Sequence, residues 1–445
     1  MNYREAIDYL LSLSDLERGI QKSANPTMSL GAIRSLFKRL GNPQHGRSTV
    51  HVTGSKGKGS TATMIESILC AARKRTALFT SPHLHSYRER IRFNGIPVSE
   101  QEFASALETV LPALELESQQ VGADLSTFGI LTAMFFASVS NRSPAVDCQI
   151  VEVGLGGSFD ATNVFEKVDV AVITPISLEH TAILGDSESE IARDKVGIVK
   201  DGSTCVLARQ EDSGVYEVAL ERCNEVGAEL RYVPDLASVR TLRMDQEGQR
   251  IDIATKDAEF MLELPLLGGH QAENATTALV TVEALAGHGL RADSHAISAG
   301  LESVQIPGRL EVIAEDPLVV VDGAHNGASS RALAKALKDH LSWEHCTVVL
   351  ACARDKDVRA IAESIVDIAD TVVCCRLRSP RALPPSEVAQ STQLPGGLLR
   401  VSGSVAQGID EALKEAGPSD LVCVMGSLYA VAEAKAHLAS EPSLG

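Results

Sequence analysis

Aromatic residues are scarce, 4% of the chain with a single tryptophan, and basic residues are outnumbered, 41 Lys and Arg against 58 Asp and Glu. The resulting formal charge of -17 repels a polyanion over most of the surface, which argues against nucleic acid as a partner. A small anion is not excluded, because a few focused cations and backbone amides hold a triphosphate against an acidic background. No run of about 18 apolar residues occurs, so no membrane-spanning helix is expected. The nine cysteines are odd in number and never spaced CxxC. Neither a disulfide framework nor a zinc knuckle is indicated, and a reducing cytoplasm is the expected compartment. Arg4, Glu5 and Asp8 occupy the first turns, where a signal peptide would need an apolar core.

What is present describes an ordinary globular protein: 445 residues, 44% hydrophobic, with 34 glycines spread along the chain. That length exceeds what one core usually serves, so two domains are expected, residues 1–304 and 305–445. Only the tail Ser440 to Gly445 has little to bury.

The order of elements predicts an α/β fold. Ile7, Leu10 and Leu11 fall at helical spacing, and after a polar break at Asn25-Pro26 a second helix runs from Leu30 to Leu40. Thr49 to Thr53 then reads as a buried strand, Ser60 to Ala72 as a helix and Thr76 to Thr80 as another strand. This is a βαβ unit and implies parallel pairing. Helices near 101–115 and 127–140 and strands at Cys148 to Val153, Val168 to Thr174 and Thr204 to Ala208 continue a doubly wound sheet. Residues 239–264 alternate apolar and polar, and predict an antiparallel meander appended to that sheet. After a helix from Gln271 to Ala286, a second βα run has strands near Leu310, Leu318 to Val321, Thr347 to Ala351, Thr371 to Cys374, Leu398 to Val401 and Leu421 to Met425.

Between the first strand and its helix lies Gly54-Ser55-Lys56-Gly57-Lys58-Gly59-Ser60. Glycines there let backbone approach oxygen closely, and the helix N-terminus adds positive potential, which is what an anionic phosphate requires. Lys58 is placed to neutralise terminal phosphates and the Ser60 hydroxyl to reach a magnesium ion or a phosphate oxygen. The plain alternative is a solvated Gly-Lys turn.

Further strings follow in order: Phe79-Thr80-Ser81-Pro82-His83-Leu84, Arg88-Glu89-Arg90-Ile91-Arg92, Val151-Glu152-Val153-Gly154-Leu155-Gly156-Gly157 and Asp160-Ala161-Thr162-Asn163. Then come Leu178-Glu179-His180-Thr181, Lys195-Val196-Gly197-Ile198, His270-Gln271 with Asn274-Ala275, Pro307-Gly308-Arg309, Asp322-Gly323-Ala324-His325-Asn326, Asp355-Lys356-Asp357 and Gly426-Ser427-Leu428-Tyr429. In this order and spacing the chain resembles the folylpolyglutamate synthase and dihydrofolate synthase family of the Mur ligase superfamily over nearly its whole length.

The resemblance implies a three-layer P-loop ATPase domain and a smaller Rossmann-like C-terminal domain. It implies an ATP-dependent ligase that phosphorylates a folate or pteroate carboxylate and joins it to L-glutamate, with ATP and Mg2+ as cofactors and a monomeric state. By the same resemblance, Gly54, Gly57, Lys58, Gly59 and Ser60 hold ATP, and Ser60, Ser81, Glu152 and His180 serve magnesium. Lys195 is a lysine that many relatives carbamylate. Asn274 contacts the adenine side, Arg309 the phosphates, and Asp322, supported by His325 and Asn326, the ribose or phosphates. Each has a plainer alternative. His180 could be a backbone-bonded loop histidine, Lys195 an exposed helix lysine paired with Asp194 or Glu190, Asn274 a helix cap, and Asp322 and Asn326 turn formers.

Relatives commonly carry a Phe-Glu pair where this chain has Phe128-Gly129, and Gly-Gly-Arg-Leu-Asp where it has Gly156-Gly157-Ser158-Phe159-Asp160. Both segments, with Ala161, lie where the family holds the pterin, so a non-folate carboxylate is a competing acceptor. Phe128 and Phe159 are the candidate walls of an aromatic slot, with core packing as the alternative. A nucleotide-binding scaffold without ligase activity is the third possibility.

Overall fold

A computed structural model describes residues 1–13, 15, 26–121 and 125–439. The expected unstructured tail Ser440 to Gly445, and Asn25 of the polar break, lie outside those residues. The chain divides into two compact units, Met1–Arg240 with Ile251–Glu263 and His270–Val304, and Thr241–Arg250 with Leu264–Gly269 and Gln305–Gly445. A single cut at 304/305 therefore does not separate them, because two stretches before residue 270 belong with the second unit.

The first unit is built on an eight-stranded sheet: β1 Ser48–Thr53, β2 Thr76–Phe79, β3 Ile91–Phe93, β4 Ile96–Pro97, β5 Cys148–Glu152, β6 Val170–Ile173, β7 Thr204–Leu207 and β8 Glu229–Tyr232. Their order is β4-β3-β2-β5-β1-β6-β7-β8. From β2 to β8 across the sheet the pairing is parallel, and β3 and β4 close one edge antiparallel. Every residue of β2, β5, β6 and β7 is buried, the continuous apolar pattern of parallel strands covered on both faces. The chain enters at β1 and winds first to one side and then to the other. The switch beside β1 is where an open α/β sheet offers a crevice at its strands' carboxyl ends, and Thr53 and Glu152 end β1 and β5 there.

The β3–β4 hairpin was not among the expected elements. Its signal was present, since Asn94-Gly95 both take positive φ (52° and 78°), as a two-residue hairpin turn requires. The expected meander exists as β9 Ala237–Asp245, β10 Gly248–Thr255 and β11 Glu259–Leu264, but it forms its own three-stranded sheet rather than an appendage of the large one.

The second unit carries β12 Glu311–Glu315, β13 Leu318–Val321, β14 Cys346–Leu350, β15 Thr371–Cys374, β16 Leu399–Val401 and β17 Leu421–Met425, in the order β12-β13-β17-β14-β15-β16. All pairs are parallel except β12 with β13. Its core contains Val320, Val348, Leu350, Ile361, Cys423 and Met425 together with Leu267, which precedes it by more than forty residues in the chain. All nine cysteines are free thiols. Among the described residues no helix is long and apolar enough to cross a membrane.

One buried histidine sets an acid limit on the first unit. His51 lies fully buried in β1, its Nε2 2.9 Å from the Thr162 hydroxyl and its ring edge-on to Phe165. Burial, with Lys200 second, lowers its pKa to about 3. An unfolded chain protonates histidine near 6.5, so between those values the unfolded state binds more protons and stability falls as pH is lowered. At about 1.4 kcal/mol per pH unit, His51 accounts for about 2 kcal/mol between pH 7 and pH 5. His51→Gln is expected to flatten the difference in urea unfolding free energy between those two pH values by that amount. An unaltered acid loss in the variant would exclude His51 as its source.

Candidate active site

The glycine loop joins β1 to the helix Lys58–Ala71, as expected. Gly57 caps the helix at φ 81°, and a Cβ added there would come within 2.4 Å of Asn274 Oδ1. Glycine is thus required both by the left-handed backbone and by the approach of that amide. The amides of Ser55 and Lys56 both donate to the Pro175 carbonyl, at 3.0 and 3.1 Å. The loop's anion-facing donors are therefore those of the helix's first turn, from Lys58 onward, which have no acceptor within the helix.

Two lysines converge on one oxygen of this loop. Lys58 Nζ and Lys195 Nζ each donate to the Gly54 carbonyl, both at 2.9 Å. Two unit charges that share one acceptor oxygen repel by roughly 3 kcal/mol or more at an effective dielectric of about 20. Glu179 offsets that repulsion: its Oε1 accepts from Lys195 Nζ at 2.9 Å, while the Ser55 hydroxyl beside it donates to the Ser177 carbonyl at 2.9 Å. Burial pushes the Glu179 carboxyl up, but Lys58 and Lys195 outweigh it and hold the pKa below its usual value. Lys195 has only 1% of its surface exposed. Burial first, and Lys58 second, lower its pKa against the opposing pull of Glu179. The exposed-helix alternative for Lys195, with Asp194 or Glu190 as partner, therefore does not hold; Lys195 closes the helix Glu188–Lys195 facing inward.

Glu152, at the carboxyl end of β5, is buried and accepts from the Ser81 amide at 2.9 Å. Its carboxylate lies 3.3 Å from where a Cβ on Gly59 would sit, so it stands directly over the loop. Ser60, buried at the start of the helix, follows that glycine. Beyond Ser81, Arg90 Nε donates to His83 Nδ1 at 2.9 Å, and burial followed by Arg90 lowers the His83 pKa to about 3. The ring's own proton is thus on Nε2. His180 is exposed, takes a left-handed backbone (φ 46°) and caps the short helix Thr181–Leu184.

The glycine run after Glu152 is clamped to the same helix end. Thr53 Oγ1 donates to the Gly156 carbonyl at 2.6 Å, and Ser158 donates to the Asp194 carbonyl through both amide and hydroxyl, at 3.0 and 2.8 Å. Asp160 is buried, and burial raises its pKa although it accepts from the Leu155 and Thr162 amides, each at 2.9 Å. Ala161 is buried beside it.

The aromatic pair reads differently from a slot. Phe128 lies on Gly154 and packs 5.7 Å from Phe79, ring to ring, whereas Phe159 is 53% exposed. At Gly129, an added Cβ would come within 2.8 Å of Ile33 Cδ1 in the helix Pro26–Arg39. A glutamate at position 129 would have to displace the tip of Ile33, and Ser158, where relatives carry an arginine, ties down the loop.

Asn274 is not a helix cap. It lies inside the helix Gly269–Gly287, with its Nδ2 donating to Gln271 at 3.1 Å and its Oδ1 facing Gly57. In the second unit, Asp322 follows β13, and both its oxygens accept backbone amides, from Leu310 and Ala324, each at 2.7 Å. Asn326 caps the helix Gly327–His340. The turn-forming roles are thus realised. His325 Nδ1 lies 2.8 Å from the Gly323 carbonyl, and burial, then Lys356, lowers its pKa. Arg309 extends over Gly323, its guanidinium 2.9 Å from where a Cβ would be.

Comparison with known proteins gives the same picture. The Mur ligase middle domain family matches residues 52–282 and the Mur ligase glutamate ligase domain family matches residues 308–428. A Mycobacterium tuberculosis dihydrofolate synthase/folylpolyglutamate synthase is 37% identical over 81% of this chain and 77% of its own length. A probable bifunctional folylpolyglutamate synthase/dihydropteroate synthase of Halobacterium salinarum is 35% identical over 98% of this chain, which spans about half, 51%, of that relative. The solved Mycobacterium tuberculosis folylpolyglutamate synthase complexed with ADP superposes with a TM-score of 0.88 at 31% identity, covering 99% of this chain and 100% of that one. With both Mur ligase domains matched in order and relatives of this identity aligned along most of its length, the chain belongs to the folylpolyglutamate synthase and dihydrofolate synthase family of Mur ligases.

Proposed function

We propose that this chain uses ATP to phosphorylate a folate or pteroate carboxylate and joins the resulting acyl phosphate to the amine of L-glutamate. A carboxylate resists amines because its oxygen leaves poorly, so the protein must supply charge for phosphoryl transfer rather than a nucleophile of its own. The observation that carries the reading is the meeting, at the carboxyl ends of β1 and β5, of the glycine loop, Lys58 and the Glu152 carboxylate.

In this reading the first-turn amides and Lys58 bind the β- and γ-phosphates, and Asn274 fixes the loop from behind. Glu152, which stands over Gly59, and the hydroxyls of Ser60 and Ser81 are assigned to the metal, an all-oxygen donor set that suits a hard ion such as Mg2+. His180 would serve a second such ion. Magnesium, when bound, supplies positive charge to the phosphoryl oxygens. Arg309, Asp322 and His325 are assigned to the nucleotide on the side of the second unit. Burial lowers the Lys195 pKa in the direction that capture of carbon dioxide by its amine requires, which supports carbamylation there.

Gly129 packed on Ile33 and Ser158 bonded to Asp194 favour a second acceptor reading, because two polar groups the family offers the pterin are absent. One experiment addresses both readings. Oxygen-18 in the labelled carboxylate is expected in released phosphate when glutamate, ATP and the true acceptor are present. Running pteroate, reduced folates and unrelated carboxylates side by side identifies the acceptor. Unlabelled phosphate with every acceptor that supports turnover would refute the acyl phosphate.

A further inference from the structure

Arg309 is aimed by a segment that would not hold its shape alone. Gly308 and Leu310, its two neighbours, both take positive φ, 75° and 45°. Glycine enters that region freely, but a leucine does so rarely, and Leu310 is buried with only 4% of its surface exposed. Two carboxylates secure the segment. Asp322 Oδ2 accepts the Leu310 amide and Glu311 Oε2 accepts the Gly308 amide, both at 2.7 Å, while the Gly308 carbonyl receives the Gly323 amide at 3.1 Å. Asp322 already carries an assignment; Glu311 carries none. Its other oxygen is paired with Lys435 on the helix Leu428–Leu438. Leu428 lies seven residues earlier, on the same face of that helix, and reaches the same point of Gly323 that the Arg309 guanidinium covers. One helix therefore supports the Arg309 segment at two places.

We propose that Glu311, backed by Lys435, is a positioning residue: by holding the Gly308 amide it keeps the strained turn closed and the Arg309 guanidinium on Gly323, where that charge serves phosphoryl transfer. The inference rests on the reading of Arg309 as a nucleotide-phosphate contact. Gly308 is buried, so without Glu311 its amide loses its acceptor, and the backbone gains another only by leaving the left-handed turn. The direction in which a long side chain leaves the backbone decides where its charge arrives. A guanidinium already in place assists every turnover, whereas one that must be brought back each time does so less. Because Glu311 acts through Arg309, its effect on turnover disappears when Arg309 is absent. A carboxylate needed only for folding would cost the same with or without that arginine.

The test is a double-substitution cycle in the full chain, reading kcat for glutamate-dependent phosphate release at saturating ATP beside a thermal melt. Glu311→Ala is expected to lower kcat at least about tenfold when Arg309 is present and less than about twofold in the Arg309→Ala background. Glu311→Gln, whose amide oxygen still accepts from the Gly308 N–H, is expected to stay within about threefold of the unsubstituted protein. The proposal is overturned by a Glu311→Ala rate within about twofold of the unsubstituted protein, by equal fold losses in both backgrounds, or by a Glu311→Gln rate as low as that of Glu311→Ala. Should Glu311→Ala melt below the assay temperature, Lys435→Met replaces it, loosening Glu311 without removing the bond to Gly308. The expected loss is then at least about threefold with Arg309 present and none in the Arg309→Ala background, and equal losses overturn the proposal. Full activity of Arg309→Ala itself would instead refute the nucleotide reading of Arg309, and the proposal with it.

Discussion

Lys58→Ala is expected to lower kcat/KM for ATP-dependent glutamate addition by about 10²- to 10³-fold, the range seen when one preorganised charge donor is removed from a transition state. Lys58 opens its helix and donates to the Gly54 carbonyl four residues earlier, a contact within one short segment. The fold does not depend on that bond, so the melting temperature is expected to stay within about 2 °C of the unsubstituted protein. Phosphate release in the presence of saturating acceptor and glutamate, paired with a thermal melt, makes the measurement. A rate within threefold of the original, at unchanged melting temperature, would remove Lys58 from the phosphoryl transfer.

Lys195→Met should behave differently, because it damages stability and activity together. Lys195 is almost wholly buried and joins the loop carbonyl of Gly54 to Glu179. A methionine fills much of the volume but leaves the carboxylate facing apolar surroundings. Breaking a buried pair from one side costs about 3–5 kcal/mol, and since the Glu179 side chain retains 21% exposure, about 2 kcal/mol is the reasonable expectation here. That corresponds to a melting temperature lower by about 3 °C in a unit of this size. Adding Glu179→Gln should recover most of the lost stability without recovering turnover, because the stranded charge is gone but the Lys195 amine remains missing. A single variant as stable as the original would show that water, not Lys195, satisfies Glu179.

What could be read from the chain beforehand divides along the range of the interactions. The phosphate loop was legible because a strand, a glycine-bounded turn and a helix are adjacent in sequence, and Gly57 does occupy a left-handed position at the turn. Burial of Lys195 was not legible, because its partners are 141 and 16 residues distant. Nothing in the eight residues of its own helix, five of them charged, distinguishes it from a surface lysine. Glu179 was hidden for the same reason: it was read only within the string Leu178-Glu179-His180-Thr181, whereas its side chain bonds Lys195, 16 residues on. The second unit shows the reverse. Asp322 and Asn326 act through amides two to twelve residues away, so simple turn and cap rules describe their contacts. The short strands β3, β4 and β8 escaped notice because two to four residues carry too little periodicity to stand out.

The interleaving of the two units along the chain also limits how such a protein can be rearranged. Gln249 reaches the carbonyls of Leu266 and Gly268, and Leu267 enters the core built around β13, β14 and β17. A gene fusion or swap that begins at residue 305 would deliver that core with a leucine missing and the strand β10 segment carrying Gln249 left behind. Exchange of acceptor or nucleotide preference between relatives by simple end-to-end recombination is thereby discouraged. The two halves are bound to travel, and to diversify, as one inheritance.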